Sequence, residues 1–426
     1  MPSDGRRWRR YVPLSYELLK KRQFKTHNSK LKTMPNTITI VIPWFGRDTA
    51  GGAETQARQL AQAIHALGVP VEVWATTGRD AFSPPVPYYA EGADALDGVP
   101  VRRFALTLPP IEPCVPPAVA RRGLHTQLPA FPDHELRLLA SLVSSDALLE
   151  AIAAEGEGRR FLFVLYPFPT SFWGTLLAGE RAHLLPCLHD EPYARYSTTR
   201  WLFRNARRAL ANSPAERDLA LHLYDLPPEQ VVAAGEGIDL TQRGDGAAFR
   251  ARRNLHGPLL MYAGRADLSK NIPLLLGYLR EYWARRGTPL TLIRTGRDSM
   301  ELPPALGAIV RDLGDVSVQE RQDAYAAADL FIQPSVHESF SIVLMEAWLQ
   351  GTPALVHADC AVTRRAAEAS GGGLTFHDFG EFAAALDILL ADADLRREIG
   401  RRGREFVLAT CDWADVARRT VAAIEG

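Results

Sequence analysis

Cysteine is scarce in this sequence. Its 426 residues hold only four, Cys114, Cys187, Cys360 and Cys411, far apart and with no CxxC pair. That excludes a disulfide-stapled scaffold and a zinc knuckle, and it fits a reducing compartment such as the cytoplasm. Long apolar runs are missing too: none approaches the roughly 20 residues that cross a bilayer, and the N-terminus has no apolar signal core. Internal repeats and low-complexity stretches are absent. Net charge is also lacking, with 49 Lys and Arg against 49 Asp and Glu, and no nucleic-acid partner is expected. What remains, 46% hydrophobic and 23% charged residues, is the composition of an ordinary globular protein, at a length that implies two or three domains.

The zero balance conceals an asymmetry. Ten cations, from Arg6 to Lys32, face only Asp4 and Glu17 in residues 1–33, a net +8 that leaves −8 for the remainder. With Trp8, Tyr11, Leu14 and Leu18 interleaved, this basic arm (1–36) suits peripheral contact with an anionic membrane, each cation contributing about 1 kcal/mol near such a surface. An unstructured leader, or a start at Met34, is the other reading.

Regular structure is expected from Thr37. Thr37–Phe45 reads as a buried strand, and apolar residues at Ala57, Leu60, Ala61, Ile64 and Leu67 beyond Gly51 and Gly52 keep a helical spacing that Gly68 stops. Val71–Ala75 is the next strand, so the unit is βαβ and the sheet parallel. Further strands are read at 101–105, 161–166, 183–188, 209–211 and 231–233, and after the glycine-rich stretch Gly235–Gly246 at 259–263, 290–295, 308–313, 330–333, 354–356 and 374–376. The fold class is α/β, two doubly wound domains with parallel sheets facing across a cleft, with ligands expected at the carboxyl ends of the strands.

Two segments carry the chemistry. In Asp329–Ala347 a strand ends at Pro334 and a helix opens near Ser341, so backbone N–H groups at Phe340, Ser341 and Ile342, next to Ser339, form an anion site at the strand's carboxyl end. Glu338 stands at that mouth and Glu346 in the helix. Carboxylates beside a phosphate repel it, so hydroxyls are their expected partners; hydroxyls flanking a phosphate describe a nucleotide sugar. In Leu259–Asn271 a strand leads to Gly264, Arg265 and, five positions on, Lys270, two cations that a tight loop turns toward one anion.

Glu338 and Glu346 separated by seven residues, Gly264, Arg265 and Lys270 upstream, and Gly51, Gly52, Ala53 and Glu54 after the first strand resemble the retaining glycosyltransferases of family 4 with the GT-B fold, over roughly residues 37–426. The resemblance implies Rossmann-like acceptor (37–238) and donor (239–409) domains, with a final helix (410–426) starting at Trp413 that packs back on the first. It implies that Arg265 and Lys270 hold a donor diphosphate, Glu346 the ribose hydroxyls and Glu338 the transferred sugar. It further implies that Gly314, Asp315 and Val316 line the nucleobase and that His189, in CLHDEPY, stands near the donor sugar. Ser341 departs from the family, which often has glycine there.

The activity so implied is metal-independent transfer of a hexosyl unit, with retention, from a nucleotide diphosphate sugar to a saccharide or lipid-linked acceptor, in cell-surface polysaccharide, lipopolysaccharide or glycolipid synthesis. Arg265, Lys270 and the helix start neutralise the departing diphosphate, so no metal or other cofactor is expected. Asp392 and Asp394 are read as a turn. A nucleotide-sugar epimerase and a non-catalytic binding scaffold are the alternatives; intact Arg265, Lys270, Glu338 and Glu346 argue against the scaffold.

Overall fold

A computed structural model describes residues 36–49, 51–108, 114–266, 268–287, 289–297, 302 and 304–426. The basic segment 1–33 lies outside them. Two compact units are formed: residues 36–241 with His337–Ile342 and Leu408–Gly426, and Gln242–Val336 with Val343–Val407.

The first unit is built on an eight-stranded sheet. Its strands are β1 (Thr37–Val41), β2 (Val71–Thr76), β3 (Gly92–Leu96), β4 (Val99–Phe104), β5 (Arg159–Val164), β6 (Ala182–Leu185), β7 (Arg208–Ala211) and β8 (Val231–Ala233), in the order β3-β4-β2-β1-β5-β6-β7-β8. Alternation places both faces in core: Ile38 and Ile40 pack with Leu162 and Val164 on one side, Val41 with Phe161 and Phe163 on the other. The helix Gly52–Ala66 covers the first face through Ala57, Leu60 and Ile64, and the final helix Trp413–Glu425 joins it through Val416, Val421 and Ile424.

One expectation needs correction, because this sheet is not wholly parallel. β3 pairs antiparallel with β4. Its residues, GADAL, are exposed except Leu96, so no apolar alternation betrays it. The signal present was Asp97–Gly98, where φ values of 52° and 84° make a two-residue hairpin turn. β6 also stops short of the expected Leu188, since Pro186 has no N–H to donate and Cys187 turns to φ 53°.

The second unit carries a six-stranded parallel sheet of β9 (Leu259–Ala263), β10 (Thr291–Thr295), β11 (Val310–Asp312), β12 (Leu330–Gln333), β13 (Ala354–His357) and β14 (Gly373–Phe376), in the order β11-β10-β9-β12-β13-β14. The order reverses between β9 and β12, and doubly wound sheets bind nucleotides at that switch point, beyond the carboxyl ends. No helix of the described residues is long and apolar enough to cross a membrane.

Candidate functional site

On the second unit, three glycine-bearing turns close the carboxyl edge beside the switch point. Gly264 donates its N–H to Thr295 O at 2.9 Å, and Gly296 donates to Gly314 O at 2.8 Å. Gly264 and Gly296 hold φ values of 146° and 134°, and a β-carbon on Gly296 would run into the Gly264 carbonyl. Only glycine permits this approach. Beneath it the fully buried Arg294 guanidinium pairs with Asp312 at 3.0 Å and donates to Gly264 O at 3.2 Å.

Arg265 leaves this edge directly. Its carbonyl accepts from Tyr262 OH at 2.7 Å, and its guanidinium donates to Ser269 Oγ at 3.3 Å, so the loop curls and brings Arg265 next to the residue preceding Lys270. Asn271, in the left-handed region at φ 58°, donates from Nδ2 to Pro334 O at 3.1 Å and ties the Lys270 turn to the end of β12. Asp315 and Val316 follow Gly314 on the neighbouring loop, and Asp315 lies 3.5 Å from Arg297.

Glu346, on the helix Ile342–Leu349, is held rather than solvated. One carboxylate oxygen accepts from Arg321 at 2.9 Å and the other from Tyr325 OH at 3.2 Å. Both donors sit one turn apart on the helix Val318–Ala327, and Tyr325 is fully buried. Each carboxylate oxygen keeps a second lone pair, so Glu346 can still accept from ligand hydroxyls. Sequence reasoning missed Arg321; its i, i+4 spacing to Tyr325 was visible, but what that face meets was not.

In the first unit, Gly51 takes φ 138°, where a β-carbon would collide with the Glu54 carboxyl, and a β-carbon on Gly52 would lie 3.9 Å from Ile342 Cδ1. The Gly51–Gly52 turn and the Ser339–Ile342 segment are therefore neighbours in that unit. Asn212 Nδ2 is 3.4 Å from Ser339 Oγ, and Phe340 is buried. Ser341 has φ 76°, the left-handed region in which glycine is at ease, and its Oγ is buried without a hydrogen-bond partner. His189 follows β6, partly exposed, with Nδ1 3.5 Å from the Glu191 carboxylate that also accepts from Tyr166 OH at 2.9 Å.

Around these positions lies a set of acids that sequence reasoning did not assemble. Glu216 accepts the backbone N–H groups of Leu188 and Asn212, yet burial pushes its pKa up to about 8. Glu54 is pushed up to about 7, chiefly by burial. Glu236 is raised well above the carboxylate range by burial and then by the charges of Glu216 and Glu338. The Asp392–Asp394 segment is a helix start: Asp392 accepts the Leu395 N–H at 2.9 Å and Asp394 pairs with Arg397.

Comparison with known proteins follows the same division. Residues 50–242 match the family described as Glycosyltransferase Family 4, and residues 257–392 match Glycosyl transferases group 1. A D-inositol 3-phosphate glycosyltransferase of Frankia alni is 30% identical over 406 residues, 88% of this chain and 94% of its own. Among solved structures, the sucrose-phosphate synthase of Thermosynechococcus elongatus aligns with a TM-score of 0.64 at 20% identity, covering 91% of this chain and 98% of that one. Anabaena Alr3699/HepE in complex with UDP and glucose aligns at 0.65 with 16% identity, covering 92% and 100%. These likenesses carry the fold, two α/β sheets of GT-B type.

Proposed function

The chain belongs to the group 1, family 4 glycosyltransferases, retaining enzymes of GT-B fold, and from that premise we propose that it moves a hexosyl unit from a nucleotide diphosphate sugar to a hydroxyl of a cyclitol phosphate, saccharide or lipid-linked acceptor. The observation that carries this reading is the glycine-walled edge at the β9–β12 switch point, with Arg265 and Lys270 leaving it on one loop. A diphosphate placed there meets fixed positive charge where its own negative charge grows as the sugar departs, usually the largest catalytic term.

Glu346, oriented by Arg321 and Tyr325, is suited to the ribose hydroxyls, and Glu338 to the sugar. The acceptor attacks on the leaving-group face and passes its proton to a diphosphate oxygen, so the step calls for no enzymic nucleophile and no metal. His189, beside Glu191, is assigned to the sugar's surroundings. The relatives' name supports inositol 3-phosphate as the first acceptor to try, and the UDP and glucose bound to HepE support UDP-glucose as the first donor.

The test is a screen of UDP-glucose, UDP-N-acetylglucosamine and GDP-mannose with inositol 3-phosphate or oligosaccharide acceptors, in excess chelator. Release of nucleoside diphosphate and an α-linked product from an α-linked donor are expected. No release from any donor, or activity restored only by Mn²⁺, would overturn the reading. Glu346→Gln should weaken calorimetric binding of UDP and of the intact donor alike, by roughly 10-fold or more, the loss of one charge-assisted hydrogen bond.

A further inference from the structure

Asn212 stands immediately beyond the carboxyl end of β7 and is 1% exposed. Its backbone N–H donates to the Glu216 carboxyl. Its side-chain amide faces that of the equally buried Gln56, in the second turn of the helix Gly52–Ala66. Gln56 Nε2 donates to Asn212 Oδ1 at 2.6 Å, and Asn212 Nδ2 donates back to Gln56 Oε1 at 3.4 Å. The same Nδ2 lies 3.4 Å from Ser339 Oγ and 3.6 Å from Cys187 Sγ.

A primary amide has one acceptor oxygen and two N–H bonds held in its plane. The pairing with Gln56 engages the oxygen and one N–H, while the Glu216 bond fixes the backbone behind them. Turning the amide would leave buried polar groups unpaired, which is costly. The second N–H therefore keeps one direction, and Ser339 Oγ is the better acceptor it meets there, sulfur being a weak one.

Ser339 lies between Glu338 and the helix that begins at Ile342. Its segment meets the Gly52–Ala66 helix a second time, where a β-carbon on Gly52 would lie 3.9 Å from Ile342 Cδ1. That apolar contact tolerates sliding, whereas a hydrogen bond from a locked amide is directional and sets where Ser339 sits. We propose that Asn212 is a positioning residue for the donor: held by Gln56, it places Ser339 so that the backbone N–H groups of Phe340, Ser341 and Ile342 face the donor diphosphate. The inference rests on the reading of that helix start as the diphosphate's anion site.

The experiment is calorimetry on the full chain with UDP, GDP, UDP-glucose, UDP-N-acetylglucosamine and GDP-mannose. Asn212→Ala should weaken whichever of these the wild type binds by roughly 10- to 100-fold at unchanged stoichiometry, the cost of a binding group displaced by about 1 Å. Gln56→Met, which removes the lock and leaves Asn212 in place, should weaken them by at least about 3-fold, and Ser339→Ala by as much as Asn212→Ala. Ser339→Thr, which keeps the accepting hydroxyl, should stay within about 3-fold of wild type. The double variant Asn212→Ala with Ser339→Ala should bind no more weakly than the worse single one, because both remove the same contact. If Asn212→Ala fails to fold, Gln56→Met and the two Ser339 variants carry the test. Unchanged affinity in the folded variants overturns the proposal, and so do additive losses in the double variant. A fall in stoichiometry at unchanged affinity also overturns it, since that marks a merely structural role. A wild type that binds none of the nucleotides overturns the donor-site reading beneath it.

Discussion

At the carboxyl edge of the six-stranded sheet acids meet cations, whereas at that of the eight-stranded sheet they meet backbone N–H groups and one another. Asp312 carries Arg294 and Glu346 carries Arg321 in the second unit. In the first, Glu54, Glu216 and Glu236 are raised by burial. The first arrangement sets each acid against an opposite charge. The second raises the proton affinity of its acids through burial.

The sharpest break of that contrast is removal of the cations. Arg265→Ala or Lys270→Ala should lower turnover by about 100- to 1000-fold, the range for loss of one oxyanion-stabilising donor. Near-normal steady-state rates in both folded variants would take the charged edge out of the mechanism.

The buried acids make a different prediction, about pH. A carboxyl raised in the folded state, as Glu216 is to about 8, contributes stability that is fully present below its unfolded value near 4.3 and is lost as pH rises through 8, because the folded protein then binds more protons than the unfolded chain. Glu54, at about 7, acts in the same sense. Melting temperature should therefore fall between pH 5 and pH 8, and Glu216→Gln should flatten the fall even though it sacrifices an acceptor for one N–H. A wild-type stability that rises over this interval would mean the acids are ionised when folded.

The smallest effect is expected at Ser341. A left-handed serine with a buried, unpartnered hydroxyl is strained, and Ser341→Gly should relieve it, raising the melting temperature by about 2 to 4 °C. A lower melting temperature would show that the hydroxyl has a role in the free protein. The departure from glycine noted in the sequence thus has a backbone meaning: the segment keeps glycine's conformation without glycine.

Much of this was legible beforehand because it is local. Every strand of the second sheet was expected within two residues of its observed place, since short, mostly apolar runs between helical stretches are their own signal. Gly264, Arg265 and Lys270 could be set at a strand's carboxyl end because a few consecutive residues fix that geometry. β3 was not legible, because an exposed edge strand has no core to pattern it, and only its turn residues spoke. Arg321 and Tyr325 were missed because their contact with Glu346 joins two helices.

The sequence by itself determined the alternation of strand and helix, the glycine turns and the spacing of the paired glutamates, since each depends on backbone preference or side-chain period within a few residues. Only the tertiary structure decided which acids are paired with cations and which are raised by burial. Glu54, Glu216 and Glu236 lie as much as 182 positions apart along the chain, and an acid's proton affinity is set by what excludes water from it, a property of residues that meet only when the sheet has closed over them.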